Sequence, residues 1–571
     1  MTREGQAEGL LELWLKDPAI DRETKEELRR IAHDPKEVTD RFYKDLEFGT
    51  GGLRGLMGAG SNRVNRYTVG KVTQGLAQYL LQQERSPSVV IAYDPRCHSA
   101  NFALEAALIL AGNGIRARVF KGVRPTPELS FAVRHLRATA GIVITASHNP
   151  ASYNGYKVYG RDGGQLPPEA AIQLLSQIRQ VHSFADIKKM TRGEAEEEGW
   201  LHWIGDEVDE AYLNAVISLS RQPEGIGQIG HRLGIVYTPL HGSGNLLIRQ
   251  ALHRIGFEQV HVVKEQEEPD PFFSTVKIPN PEDPKVLAKA IRLAEQTRAD
   301  LVIGTDPDAD RMGVAIPDIR GEYTTLTGNQ TGALLLHYLL STMKANGTLP
   351  TDGAMVKTVV TGELGARIAQ SYGVKVINTL TGFKYIGQKI EKFEQTGACQ
   401  FVFGYEESCG YLAGTHARDK DAVAASMLIS EAAAYYKSQG KSLYAVLEEL
   451  HQIHGYFAED IQTRTLKGME GAKKIQEIMD DWRQNPPREI NGSRFLRMED
   501  FSQGLYGLPK ENMLKFHLPD GGWFCLRPSG TEPKVKIYFA TTGNSDKQAS
   551  EQLQQLIHAV MGRIDEYLEE S

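Results

Sequence analysis

Hydrophobic and polar positions fall into blocks along this chain, and three of the blocks share one order. Each runs from an apolar stretch through a polar turn into a helix-period segment, then to a glycine and a second apolar stretch. The three are SVVIAYDPRCHSANFALEAALILAGNGIRARVF (88–120), RLGIVYTPLHGSGNLLIRQALHRIGFEQVHVV (232–263) and AMVKTVVTGELGARIAQSYGVKVINT (354–379). Gly114, Gly256 and Gly373 stand near the helix ends, where a left-handed residue closes a helix. Strand, helix, strand in that order predicts parallel α/β units. Three similar copies predict three related α/β domains. Residues 8–32 predict two amphipathic helices broken near Pro18, packed on a neighbour. From about residue 495 the pattern changes to short strands and a final helix from Ser545, which predicts a smaller α+β domain. The stretch 455–465 reads as a hinge. The expected domains are 1–220, 221–325, 326–455 and 456–571.

Composition narrows the class. The chain has 571 residues, 41% hydrophobic and 24% charged, with a formal net charge of −7. That length suits several domains of ordinary size, and the charge offers no global basic field for nucleic acid. Cys97, Cys399, Cys409 and Cys525 are scattered without a CxxC pair, as expected of reduced thiols in a cytoplasmic protein. The opening MTREGQAEGL is polar and does not read as a signal peptide. No apolar run approaches the ~20 residues that span a bilayer. Neither nucleic acid nor membrane is an expected partner.

The chemistry-bearing residues cluster where apolar stretches end. TASHNP (145–150) sets Ser147 beside His148. A hydrolase elbow would read GxSxG, but Thr145 and Asn149 occupy its glycine positions. GTDPDADR (304–311) brings Asp306, Asp308 and Asp310 together on a tight turn. Three such carboxylates can face one hard cation, and they repel one another without it. An EF-hand is excluded, because Arg311 stands at its turn glycine and Pro317 at its bidentate glutamate. Mg²⁺ on three carboxylates would still need oxygens from water or phosphate. RPSGTEPKVKIYF (527–539) offers the fork of Arg527, two hydroxyls, and the backbone N–H groups of a Ser529-Gly530-Thr531 turn, a set suited to a phosphate dianion. FGYEESCGY (403–411) presents Glu406, Glu407 and Ser408, and carboxylates accept hydrogen bonds from vicinal sugar hydroxyls. FGTGGLRG (48–55) surrounds Arg54 with glycines but lacks GxGxxG spacing. No GxxxxGK[ST] occurs, which disfavours a P-loop kinase. Each stretch also has a plainer reading as a solvated turn, and for 403–411 alone that reading is favoured.

TASHNP, GTDPDADR, GYEESCG and RPSGT stand in the order found in the α-D-phosphohexomutase family, which this chain resembles, most closely its long bacterial α-phosphoglucomutases. FGTGGLRG is similar to that family's first arginine loop, so the resemblance spans about residues 48–539. It implies four domains around a central cleft, three related α/β domains and a smaller C-terminal α+β domain. It implies that Ser147 is a phosphoserine whose phosphate, with Asp306, Asp308 and Asp310, binds Mg²⁺. Arg311 would steady the transferring group. Glu406 and Ser408 would hold sugar hydroxyls, and Thr381, Gly382 and Lys384 would form a second sugar loop. Arg527, Ser529, Gly530, Thr531 and Lys536 would hold the other phosphate. His148 and Lys157 are the candidate acid and base, assisted by Arg54.

The implied reaction interconverts glucose 1-phosphate and glucose 6-phosphate through glucose 1,6-bisphosphate, which must turn over within the cleft. Phosphoryl transfer relies on positioning and charge neutralisation, which these residues can supply. The EES pattern resembles the glucose-preferring branch, although Tyr405 moves Gly404 one residue away from its usual place beside the first glutamate. Phosphopentomutase and phosphomannomutase are the enzyme alternatives. A non-catalytic sugar-phosphate binder and a metal-dependent phosphatase are alternatives of other kinds.

Overall fold

A computed structural model gives the fold of residues 3–49, 52–221, 226, 229–466, 468–487, 489–490, 493–529 and 534–570. Its frame is four sheets of four to six strands. The three predicted strand–helix–strand stretches all form. Ser88–Tyr93 pairs in parallel with Arg116–Phe120, Ile235–Thr238 with Val260–Val262, and Gly353–Thr358 with Lys375–Thr379. Gly114, Gly256 and Gly373 have φ of +73°, +104° and +76° after the intervening helices. A side chain would be strained at each of them.

Each unit then repeats a second feature. A further parallel strand lies beside the first and turns straight back into an antiparallel strand. In the first unit Ala140–Ile144 returns as Tyr153–Tyr159. In the second, Leu301–Thr305 returns as Met312–Pro317. In the third, Gln400–Glu406 returns as Gly410–Ala413. TASHNP, the aspartate turn and the acidic loop therefore sit at one equivalent place in three copies of one plan. Each loop also carries one non-glycine residue at positive φ: Ser147 at +51°, Ala309 at +48° and Cys409 at +60°.

The fourth sheet is wholly antiparallel, in the order Tyr456–Thr465, Lys534–Gly543, Trp523–Pro528, Leu514–His517 and Arg497–Asp500. Helices Gly468–Gln484 and Asp546–Glu570 cover it, with Trp482, Met479 and Val560 packed against Phe516 and Phe524. The fold is thus three α/β units followed by a smaller α+β unit. The expected hinge at 455–465 is instead a ten-residue edge strand of this last sheet. Its mixed polarity, YFAEDIQTRT, is that of an edge strand half open to solvent, which resembles a linker in sequence.

The buried cores do not follow the sheets one for one. The first unit has its own cluster around Leu76, Ile91 and Ile142, and the fourth has the one just described. The second and third units share a single cluster running from Tyr212 to Leu450, threaded by the largely buried helix Ala422–Ser438. A smaller apolar seam joins Val359, Val360 and Leu380 to Phe501, Trp523 and Tyr538, and so holds the fourth unit against the third. At the N-terminus, Arg3–Lys16 and Arg22–Ile31 form the two predicted helices, and Pro35–Phe42 adds a third. They bury Trp14 and Phe42 against Tyr67.

Candidate active site

The three hairpin loops and their supports meet at the aspartates. Ser147 is 2% exposed, and its Oγ donates to Asp306 Oδ2 at 2.7 Å. His148 Nδ1 lies 3.3 Å from the same Oγ. An elbow nucleophile would be followed by a helix, whereas here a returning strand follows, as the missing glycines foretold. Asp306 Oδ1 accepts the backbone N–H groups of Asp310 and Arg311, which closes the aspartate turn.

All three aspartates are buried, and their ligand oxygens lie within 4.8 Å of one another. Neighbouring units supply cations to two of them. Lys157 of the first unit donates to Asp308 Oδ2 at 2.9 Å and stands 3.5 Å from Asp310. Lys420 of the third unit stands 3.1 Å from Asp310 Oδ2. Thr126 Oγ1 adds a bond to Asp308 Oδ2 at 3.0 Å. Burial, with repulsion from Asp308 and Asp310, holds Asp306 well above the usual carboxylate range. Burial would also raise Asp308, but the charge of Lys157 together with hydrogen bonds from Asp306, Lys157 and Thr126 brings that group down. Asp308 Oδ1 and Asp310 Oδ1 are buried with no hydrogen-bond partner among the described residues. Buried acceptors left in this way fit a bound cation, and an all-carboxylate set suits a hard ion such as Mg²⁺.

The remaining sequence-predicted residues surround this centre. Arg54 donates to Asn149 Oδ1 at 2.9 Å, one loop residue beyond His148. Burial, then Arg311 and Arg54, push His148 well below its usual value, so its imidazole is neutral at neutral pH. Arg311 is gripped by the Glu282 carboxylate and donates to Ser408 O at 3.0 Å, which ties the aspartate turn to the acidic loop. Glu406 is buried, and its Oε1 accepts the N–H of Gly382 at 2.8 Å, which brings the two expected sugar loops together. Gly382 has φ of +120°, a conformation that side chains disfavour. Thr381 Oγ1 is buried without a hydrogen-bond partner among the described residues. Lys384 Nζ lies 4.8 Å from the centroid of the Tyr385 ring. Glu407 points elsewhere, accepting from Thr361 and Thr358, and burial beside Glu406 lifts it to about 7.

On the fourth unit, Arg527 Nε donates to Glu511 at 2.5 Å, and the Ser529 N–H donates to Lys534 O at 2.7 Å. Burial brings Lys384 and Lys536 below the usual lysine range, against the pull of Glu511 on the first and Glu282 on the second. Gly530 and Thr531 lie outside the described residues. Sequence reasoning missed Lys420, Thr126, Glu282 and Arg96. The available signals were ARDKD (417–421) and DPR (94–96), charged clusters in loops beside apolar stretches.

Family models match the chain unit by unit. The descriptions "Phosphoglucomutase/phosphomannomutase, alpha/beta/alpha domain I", "domain II" and "domain III" match residues 45–184, 210–321 and 327–453, and the family's "C-terminal domain" matches 467–559. The chain belongs to the phosphoglucomutase/phosphomannomutase family and is an enzyme, and its three aspartates could hold a metal ion. Phosphoglucomutase of Staphylococcus haemolyticus is 37% identical over 90% of this chain and 93% of its own length. That of Staphylococcus epidermidis is 40% identical over 88% and 92%. Among solved structures, pp63/parafusin, a phosphoglucomutase from Paramecium in its open form, superposes with a TM-score of 0.70 at 18% identity, covering 92% of this chain and 96% of that one. A phosphoglucomutase/phosphomannomutase family protein of Burkholderia thailandensis gives 0.65 at 18% identity, covering 91% and 97%. Among the described residues, no helix is long and apolar enough to cross a membrane.

Proposed function

We propose that this enzyme is an α-phosphoglucomutase that interconverts glucose 1-phosphate and glucose 6-phosphate, with Ser147 as its phosphoserine. The observation that carries the reading is the 2.7 Å approach of Ser147 Oγ to an aspartate triad in which two buried oxygens have no hydrogen bond among the described residues. The staphylococcal relatives named phosphoglucomutase support the choice of sugar. In this reading the domains are 1–220, 221–325, 326–455 and 456–571, and the four free cysteines suit a cytoplasmic enzyme.

Asp306, Asp308 and Asp310 would hold Mg²⁺, completed by an oxygen of the Ser147 phosphate. Bound there, the ion would neutralise charge on the transferring phosphoryl group. Lys157 and Arg311 add positive charge from two sides. Neutral His148, 3.3 Å from Ser147 Oγ, is placed to accept a proton there. Arg54 orients the loop through Asn149. Glu406 and Ser408, with Thr381, Gly382 and Lys384, hold the sugar. Arg527, Ser529, Gly530, Thr531 and Lys536 hold the phosphate that does not move. Phosphoryl passes from Ser147 to the 6-hydroxyl of glucose 1-phosphate: the bond from phosphorus to Oγ breaks, the 6-hydroxyl loses its proton and Oγ regains one, giving glucose 1,6-bisphosphate. That molecule turns end for end, and its other phosphate returns to Ser147. The sugar loops and phosphate loop must therefore accept either orientation.

The test is a coupled assay for glucose 6-phosphate from glucose 1-phosphate, with Mg²⁺ and trace glucose 1,6-bisphosphate, beside mannose 1-phosphate and ribose 1-phosphate. Glucose turnover that vanishes in chelator is expected. Faster ribose or mannose turnover would overturn the sugar assignment. Steady release of inorganic phosphate would overturn the mutase.

A further inference from the structure

Each hairpin loop leans on the strand-to-helix turn of its own unit, and the three supports differ in kind. In the second unit, Ser243 donates through N–H and Oγ to one carbonyl, Pro307 O, at 2.8 and 2.9 Å. In the third, Thr361 donates a hydroxyl to Glu407 at 3.2 Å. In the first, the support is a charged guanidinium. Arg96 is 2% exposed and donates to four backbone carbonyls of the serine loop. Its Nη2 reaches Ser147 O at 2.5 Å and Asn149 O at 2.6 Å, and its Nη1 reaches Pro150 O at 2.7 Å and Tyr153 O at 3.1 Å.

Arg96 is itself fixed by three contacts, two of them to the guanidinium. Asp94 Oδ2 accepts its Nε at 3.1 Å, and Asp94 Oδ1 accepts its backbone N–H at 3.0 Å. The ring of Phe273, from the second unit, lies 4.8 Å from its carbon. Asp94 also accepts from Thr145 Oγ1 at 2.7 Å, and Thr145 Oγ1 in turn accepts the Ser147 N–H at 2.7 Å. The peptide on either side of Ser147 is therefore held by one Asp94–Arg96 pair. That grip bears on a residue whose φ of +51° is unfavourable for a side-chain-bearing amino acid. Left alone, the loop would relax and carry Oγ away from Asp306.

We infer that Arg96 is a positioning residue for phosphoryl transfer: it holds the Ser147 backbone in its left-handed conformation so that Oγ faces the aspartate triad. Only a planar fork with several N–H groups can bond four carbonyls at once, so lysine cannot replace it although it preserves the charge opposite Asp94. The sugar and phosphate contacts lie on the third and fourth units and do not touch Arg96. Its loss therefore acts on the chemical step alone. A displacement of about 1 Å at a reacting atom costs about 100-fold in rate.

The inference rests on the mutase reading, and the experiment separates the two. Parent, Arg96→Lys and Arg96→Ala proteins are assayed for glucose 1-phosphate turnover, with thermal unfolding as a check on folding. Failure of the parent to turn over refutes the mutase reading. With an active parent, the expected result for Arg96→Lys is a kcat lowered about 100-fold and a KM within about threefold. Guanidinium ion in the buffer should restore part of the Arg96→Ala rate and none of the Arg96→Lys rate, because the lysine fills the space. The phosphorus-31 resonance of the phosphoserine should broaden or shift in both variants. A kcat within threefold of the parent in Arg96→Lys would overturn the inference. So would a fall in kcat matched by an equal rise in KM, which would indicate general damage. If Arg96→Ala does not fold, Arg96→Lys decides alone. If neither folds, Phe273→Leu, which removes only the ring over the guanidinium, must still lower kcat at unchanged KM, and a parental kcat there would overturn it.

Discussion

Asp306→Asn separates the metal's role from the fold's. The two backbone N–H groups that Asp306 Oδ1 accepts, at 3.1 and 3.0 Å, can be kept by the amide oxygen. The amide nitrogen then faces Ser147 Oγ, which can accept from it. Burial and the two neighbouring aspartates already favour the neutral form of Asp306 when no cation is present, so a neutral asparagine changes little in the metal-free protein. Cation binding should change greatly. The ligand oxygens lie within 4.8 Å of one another, so an ion among them sits closer than that to each. Removing one unit charge ~4 Å from a divalent ion, with an effective dielectric of ~20, costs ~8 kcal/mol, about a millionfold in Kd. At a Mg²⁺ concentration of 100 times the parent's Kd, binding stabilises the parent by ~2.7 kcal/mol, and the variant by under ~0.1 kcal/mol. Calorimetric titration with Mg²⁺ gives both constants, and thermal unfolding with and without the ion gives the stabilisation. A variant whose Kd stays within threefold of the parent's would refute the placement of the ion among these aspartates.

Ser147→Ala should fold normally, since the hydroxyl is buried on a loop and bonds mainly to Asp306. It should lose turnover and any phosphate detected by intact mass, and parental activity would end the phosphoserine mechanism. Gly242→Ala tests the support of the aspartate turn. A Cβ there would stand 2.7 Å from Pro307 Cα and 2.9 Å from Asp306 O, so a cost of ~1–3 kcal/mol and a higher Mg²⁺ requirement are expected in unfolding and activity titrations. Glu459→Gln tests the join between third and fourth units. Glu459 accepts from Asn329 at 2.5 Å, and burial lifts it to about 7, so the parent loses stability as pH rises from about 4.5 to about 7. The glutamine variant should therefore melt higher than the parent at pH 8 and converge with it near pH 4.5, and a difference independent of pH would refute the burial argument.

The strand–helix–strand units were legible because their signals are local: apolar strands, a 3.6-residue period, and Gly114, Gly256 and Gly373 closing the helices. The triad was legible because its three members share one turn. The equivalence of the three hairpin loops was not, since the returning strands carry different sequences and only strand pairing shows them to be the same element. Arg96 and Lys420 were not legible for a related reason. Their partners are distant in sequence, and a buried arginine in DPR looks like any charged turn until Ser147 O is found 2.5 Å from it. The strand 456–465 was read as a hinge because an edge strand need not alternate cleanly when one side is open.

The single apolar cluster shared by the second and third units has a bearing on how such a chain can be recombined. Three copies of one plan invite the view that each is an exchangeable module. A crossover near residue 326 would instead pair two half-cores shaped by different ancestors, with the helix Ala422–Ser438 meeting an unmatched partner in the helix Asn245–Arg254. The fourth unit closes its own core, and so does the first apart from the helix Asp206–Ile217, whose Tyr212, Leu213 and Val216 lie in the shared cluster, so these two can be exchanged at the cost of a surface seam if that helix stays with the middle. The heritable pieces of this protein are therefore three, and the middle one is double.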